Sequence, residues 1–171
     1  MITMDYVRTM ALYNQWQNSS LVTAAGTLSD AERWRDRGAF FGSIAQTLNH
    51  VLWDDQVWLA RLQQDAARAR DIGSGHPYTE TPREWEMYVP ARQALDAEII
   101  AWAETLTEAD SQRPVSWIRG TEAVETPFGF NVVHMMNHAT HHRGQVHAML
   151  TAAGTTPEAT DLQVLLVHGQ G

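Results

Sequence analysis

Apolar residues recur along most of this chain every three to four positions, the spacing of helices that bury one face. The stretch from Asp5 to Ala25 is rich in Ala, Leu and Met, and Gly26 provides a stop. Ser29-Asp30-Ala31-Glu32 has the form of a capping box and predicts one short helical turn near Trp34. A second long helix is predicted from Phe41 to Arg70, where Phe41, Ile44, Leu48, Val51, Leu59 and Leu62 repeat at helical spacing. Gly73-Ser74-Gly75-His76-Pro77 reads as the linker that closes it. Thr81 as cap, Pro82 in the first helical position and Glu84 completing a capping box predict a third helix. Its buried stripe is Trp85, Tyr88, Leu95, Ile99, Trp102 and Leu106, and Pro90 within it kinks the helix without ending it.

Between Gln112 and Phe130 the helical period is lost. Val115-Ser116-Trp117-Ile118, Arg119-Gly120 and Val124-Glu125-Thr126 predict a long crossover loop carrying an irregular hairpin. A fourth helix follows from Asn131 to Ala153 and stops at Gly154, and Asp161 to Val167 adds a short last one. Four helices of this length with polar connections predict an all-α protein, a four-helix bundle formed by one domain over residues 1–171.

Composition removes several chemistries. All 12 basic residues are Arg, so lysine Schiff bases, pyridoxal phosphate attachment and the P-loop lysine are excluded. With no Cys there is no disulfide, thiolate ligand, iron–sulfur cluster or cysteine nucleophile. The formal net charge of -8 opposes the grip on phosphates that nucleic-acid binding needs. No apolar run is long enough to span a bilayer, and the N-terminus lacks the apolar core of a signal peptide, so a cytoplasmic protein without a membrane partner is expected.

Histidine remains. Of 8 His, five lie between His134 and His147 on the fourth helix. On a helical wheel Val132, Met135, Met136, Ala139, Val146 and Leu150 form the apolar face. His142 falls within that sector and His138 on its rim, four residues apart, so both imidazoles reach a common ion. His134 extends the row further from the apolar centre, while His141 and His147 project away. Ala139 stands where the zinc peptidase motif His-Glu-x-x-His has its general base, so that class is disfavoured. A third ligand must come from His50, His76 or His168. His76 lies in the Gly-rich linker and His168 near the chain end, while His50 shares a helix flank with Trp53, Asp54 and Val57; the wheel alone does not select it.

These residues resemble a family. Leu48-Asn49-His50, Asp55 and Trp58-Leu59-Ala60-Arg61, with Asn137-His138-Ala139-Thr140-His141-His142-Arg143-Gly144-Gln145, are similar to the DinB/YfiT-like metal-binding proteins. Tyr13-Asn14, Trp16-Gln17-Asn18 and Asp161-Leu162 extend the resemblance over nearly the whole chain. It implies an up-down-down-up four-helix bundle, usually a homodimer, that holds a divalent metal with three histidines: His50, His138 and His142. Three neutral imidazoles suit Zn²⁺, Ni²⁺, Mn²⁺ or Fe²⁺, and three protein ligands leave a coordination position open, as in catalytic sites.

Each imidazole then needs a partner to fix its tautomer. Asp54, four residues after His50, Gln145 and Asn137 are candidates. Asp55 points toward the apolar stripe and requires an Arg or His partner. Arg143 and Gly144 fall on other faces, and Gly144 is expected to permit close helix contact. Among the seven tryptophans, Trp53 and Trp117 are candidates for a pocket mouth. The wider superfamily that the chain resembles includes metal-dependent thiol S-transferases, which implies a small-molecule substrate, a low-molecular-weight thiol. The alternatives are a hydrolase that activates water on the metal, and a non-catalytic dimeric metal- or ligand-binding module.

Overall fold

A computed structural model describes residues 2–73 and 78–168, the last three by their backbone alone. The expected linker with its His76 falls largely outside the described residues, as does the side chain of His168. Seven helices and one hairpin are described: α1 (Met4–Gly26), α2 (Asp30–Trp34), α3 (Ile44–Leu62), α4 (Ala66–Gly73), α5 (Trp85–Thr105), β1 (Pro114–Arg119), β2 (Glu122–Pro127), α6 (Phe128–Ala152) and α7 (Leu162–His168). A 3₁₀ turn at Glu108–Gln112 precedes the hairpin.

Local chemistry sets most boundaries. Thr3, Ser29 and Ser43 each accept a backbone N–H from the first turn of the helix that follows, which satisfies donors the helix cannot. The expected second helix is two. Its first part begins only after Ser43 and ends at Leu62; Gln64 adopts a left-handed conformation at φ 60°. The Asp65 carboxylate then accepts from the Arg68 N–H at 2.9 Å and starts α4.

The capping box expected at Thr81 does not form. Asn49 of α3 donates to the carbonyls of Thr79 and Pro82, both at 3.1 Å, and so ties this segment to α3 instead. The helix α5 starts at Trp85 with no side-chain cap, then runs on through Pro90. The expected irregular hairpin is regular: β1 and β2 pair antiparallel from Pro114↔Pro127 to Arg119↔Glu122 around a two-residue turn. Gly120 takes φ 61° there, a conformation that favours glycine. With the hairpin ending at Pro127, α6 starts at Phe128, three residues before the expected Asn131.

The four long helices pack in a closed circuit, α1 on α5 and α6, and α3 on α5 and α6. Val7, Ile44, Leu59, Leu62, Ile99, Phe128, Val132, Met135 and Leu150 are among the side chains fully withdrawn from water between them. The segment before α7 lies along α1, where the Tyr13 hydroxyl donates to the Thr160 carbonyl at 2.7 Å and Gln17 to that of Ala159 at 3.0 Å. No helix among the described residues is long and apolar enough to cross a membrane.

A charged cluster is buried inside this packing. The Arg92 guanidinium of α5, 1% exposed, lies 2.8 Å from Asp55 of α3 and 2.9 Å from Asp96 of α5. Asn18 of α1 donates to Asp96 at 2.9 Å, and Asn14 of α1 to Asp55 at 3.4 Å. Arg143 of α6 donates to the Asn14 side-chain oxygen. The partner required by Asp55 is therefore Arg92. Arg143, expected on a face other than the apolar one, is buried: its guanidinium donates to Asn14 and its charge lies near those of Asp55, Arg92 and Asp96.

Removing one member of such a cluster strands the opposite charges without water. Arg92→Leu is expected to lower unfolding free energy by about 3–5 kcal/mol, read as a lower urea midpoint with an unchanged slope. A loss below about 1 kcal/mol, the level of a surface ion pair, would show the cluster to be solvated.

Candidate metal centre

His50 projects from the middle of α3, and His138 and His142 from successive turns of α6, at the seam where these two helices pack. Candidate ligand nitrogens of the three lie within 4.8 Å of one another, and this group could hold a metal ion. The Nε2 atoms of His50 and His138 are 3.2 Å apart. The ring centres of His142 lie 4.8 Å from His50 and 4.6 Å from His138.

The outer nitrogens determine what the inner ones can do. His142 Nδ1 lies 2.8 Å from Gln145 Oε1, an acceptor, so Nδ1 carries the proton and Nε2 keeps its lone pair. Gln145 is oriented in turn by His141, whose Nε2 accepts from the amide at 3.2 Å. His138 Nδ1 sits 2.9 Å from Asp54 Oδ2, an ion-pair contact without the straight line of an ideal hydrogen bond. That contact likewise favours the Nδ1–H tautomer and turns a lone pair inward. His50 Nδ1 is buried with no hydrogen-bond partner among the described residues.

Two imidazoles thus present unprotonated Nε2 atoms toward a third, an arrangement that suits a divalent cation. The donor set fits borderline cations such as Zn²⁺, Ni²⁺, Mn²⁺ or Fe²⁺. Asp54 was expected beside His50, its own helix neighbour; it contacts His138 across the helix seam instead.

Proton affinities differ around the cluster. Burial, reinforced by His138 and His142, lowers His50 to about 4. Burial also lowers His142, and the hydrogen bond to Gln145 only partly offsets it. At His138 burial disfavours the charged ring, but the Asp54 carboxylate outweighs it and the pKa is raised.

An aromatic wall encloses one side. Phe41 lies 4.0 Å from the His50 ring centre and 5.2 Å from that of His142. Trp53 and Tyr78 stack at 4.6 Å beside His50 and line a cavity of about 410 Å³ together with Ile72, Pro82 and Met87. Trp53 thus lines a pocket, as expected; Phe41, expected at the head of the second helix's apolar stripe, lies in the connection before α3, and Tyr78 lies in a connection that helical periodicity does not reach. Trp117, the other tryptophan expected at a pocket mouth, packs from the hairpin onto Trp58 at 5.4 Å. His134 lies outside the cluster, its ring 4.7 Å from Trp58 and 5.9 Å from His138. Gly144 does not serve close helix contact: a Cβ placed there would meet nothing within 4 Å. Asn137 is exposed on α6.

Imidazoles converging from two packed helices, two of them steadied by a side-chain partner, define a helical protein with a three-histidine group that could hold a metal ion. The sequence comparisons agree with that class. The chain matches the DinB family over residues 1–168 and belongs to it. It is 23% identical over 167 residues to Protein DinB of Bacillus subtilis (strain 168), an alignment covering 95% of this chain and 94% of that protein.

In metal-free protein, falling pH is expected to protonate His138 first, above the ordinary imidazole value of about 6.5, and His50 last, at about 4. Asp54→Asn removes the carboxylate charge and moves the His138 titration downward. Side-chain NMR titration of the histidines reads both; His50 titrating at or above His138 would contradict this electrostatic arrangement.

Proposed function

We propose that this chain is a divalent-metal protein whose four long helices form an up-down-down-up bundle, with His50, His138 and His142 as ligands through Nε2. The observation that carries the reading is the tautomer set: Gln145 and Asp54 occupy the outer nitrogens of His142 and His138 and direct two lone pairs toward His50. A bound divalent ion supplies a Lewis acid with a position open for a ligand beyond the three imidazoles.

The activity we infer is transfer of a small thiol to an electrophile. Sulfur is a ligand that such an ion binds well, and this chain contains no cysteine of its own to compete for the position. Phe41, Trp53 and Tyr78 then act by shape: their rings cover the imidazoles and keep bulk water from one side, which strengthens every charge interaction behind them. Asp54 keeps His138 oriented, and Gln145 does the same for His142. Hydrolysis has weaker support, because it calls for a free general base and the Asp54 carboxylate beside the cluster is engaged by His138. Pairing of two copies into a homodimer belongs to the same reading.

Elemental analysis of tag-free protein is expected to find about one divalent ion per chain, lost in His142→Ala and in His138→Ala. Gln145→Ala keeps the ligands and is expected to weaken metal affinity by about 10–100-fold. Metal-loaded wild type, incubated with small thiols and a chromogenic electrophile, should form the thioether faster than either histidine variant. No bound metal after reloading with Zn²⁺, Ni²⁺, Mn²⁺ and Fe²⁺ would end the metal reading; bound metal without thiol transfer would leave a binding module.

A further inference from the structure

The arginines of this chain are almost all spoken for. Arg8, Arg33, Arg35, Arg37, Arg68, Arg70, Arg83, Arg92, Arg113 and Arg143 each donate to at least one oxygen. Arg119 is exposed on the hairpin. Arg61 is different. It is half-buried, with its guanidinium held between two indoles, 4.6 Å from the Trp58 ring centre and 4.5 Å from that of Trp117. Yet no acceptor within the described protein takes its N–H groups, and none of its nitrogens is sealed from solvent. A guanidinium packed into the corner of two indoles whose centres lie 5.4 Å apart has lost part of its conformational freedom before any ligand arrives. Its remaining capacity is a planar fork of donors, the complement of a carboxylate.

Position gives that capacity a direction. His50, Asp54, Trp58 and Arg61 succeed one another along one flank of α3 at intervals of three or four residues. On α6 the matching row is His142, His138 and His134. The two rows meet where Asp54 contacts His138 and where the His134 ring packs against Trp58. An open depression of about 450 Å³ runs along α6 past His141, His138, His134 and Phe130. From His50 to Arg61 the helix advances about 16 Å, and the arginine side chain, leaning back toward the helix N-terminus, shortens that gap.

We propose that Arg61, clamped by Trp58 and Trp117, anchors the carboxylate of an elongated small molecule whose other end lies at the three histidines. The thiol at that other end rests on the function proposed above; the anion site at Arg61 does not. Carboxylate recognition also suits the surroundings. The formal net charge of -8 repels an acidic ligand from most of the surface, and a guanidinium without an acceptor among the described residues offers it a local contact. The Asp54 carboxylate, the acidic group along this row, is occupied by His138 and stands beyond ion-pairing distance of Arg61.

The test uses Co²⁺-loaded protein and two probes of equal length, ω-mercaptooctanoate and its neutral amide, followed through the Co²⁺ absorption spectrum. Wild type is expected to bind the carboxylate about tenfold more tightly than the amide, the scale of a bidentate charge-assisted contact at a partly exposed site. In Arg61→Gln that ratio should fall to about one, with Co²⁺ content and unfolding midpoint serving as the check on folding. Arg61→Lys keeps the charge but not the planar stack, and should retain an intermediate ratio. A ratio near one in wild type overturns the proposal, as does a preference that survives in Arg61→Gln. If neither thiol alters the Co²⁺ spectrum, the thiol reading has failed. The anion site is then judged with octanoate alone, through the fluorescence of Trp58 and Trp117: saturable binding lost in Arg61→Gln upholds it, and the same response in both proteins overturns it.

Discussion

The buried cluster of Arg92, Asp55, Asn14 and Arg143 takes one member from each long helix: α5, α3, α1 and α6 in that order. Apolar packing tolerates sliding of one helix along another, since one methyl group replaces another at little cost. Charges withdrawn from water do not, because every displaced partner leaves an uncompensated ion. The cluster therefore sets the register of the four helices relative to one another. Asp54 and His142 are the immediate sequence neighbours of Asp55 and Arg143, turned from them by one helical step of about 100°. Fixing Asp55 and Arg143 on the inner side thus places Asp54 and the histidines on the adjoining flank, at matching heights on α3 and α6.

The two sites use charge in opposite ways. In the inner cluster carboxylates and guanidiniums neutralise each other and nothing is left over for chemistry. In the histidine site burial favours neutral rings, and the polar neighbours act on the outer nitrogens, leaving lone pairs on the inner side. Burial holds His50 and His142 neutral while Asp54 favours a charge at His138, a mix of lone pairs and nearby carboxylate that suits a divalent cation.

The hairpin between α5 and α6 has a place in the same logic. It replaces what would otherwise be a long connection, and its Trp117 indole covers Arg61 while its Nε1 donates to Thr126 within the hairpin at 3.1 Å. Thr126 in turn donates to Asn131 at the start of α6, so the strand that orients Trp117 also fixes the entry of the helix bearing His138 and His142.

Much of this protein is determined locally. Helical period, the cap at Ser29, the Gly120 turn and the i, i+4 pairing of His138 with His142 depend on neighbours within a turn or two, and all are visible in the sequence. Boundaries decided by distant contacts are not. The start of α5 lies at Trp85, beyond a segment that Asn49, thirty residues from Thr79, holds to α3 through the carbonyls of Thr79 and Pro82. Arg143 fell on a face other than the apolar one because a wheel counts hydrophobicity, and a buried guanidinium is invisible to it until Asn14 and Asp55 are brought alongside. Asp54 was paired with its helix neighbour for the same reason, whereas the helix seam puts His138 closer. The approach of His50 to His138 spans 88 residues of chain and exists only through the packing of α3 on α6. Local spacing determines which residues share a face; only the burial of charge between helices decides which faces meet.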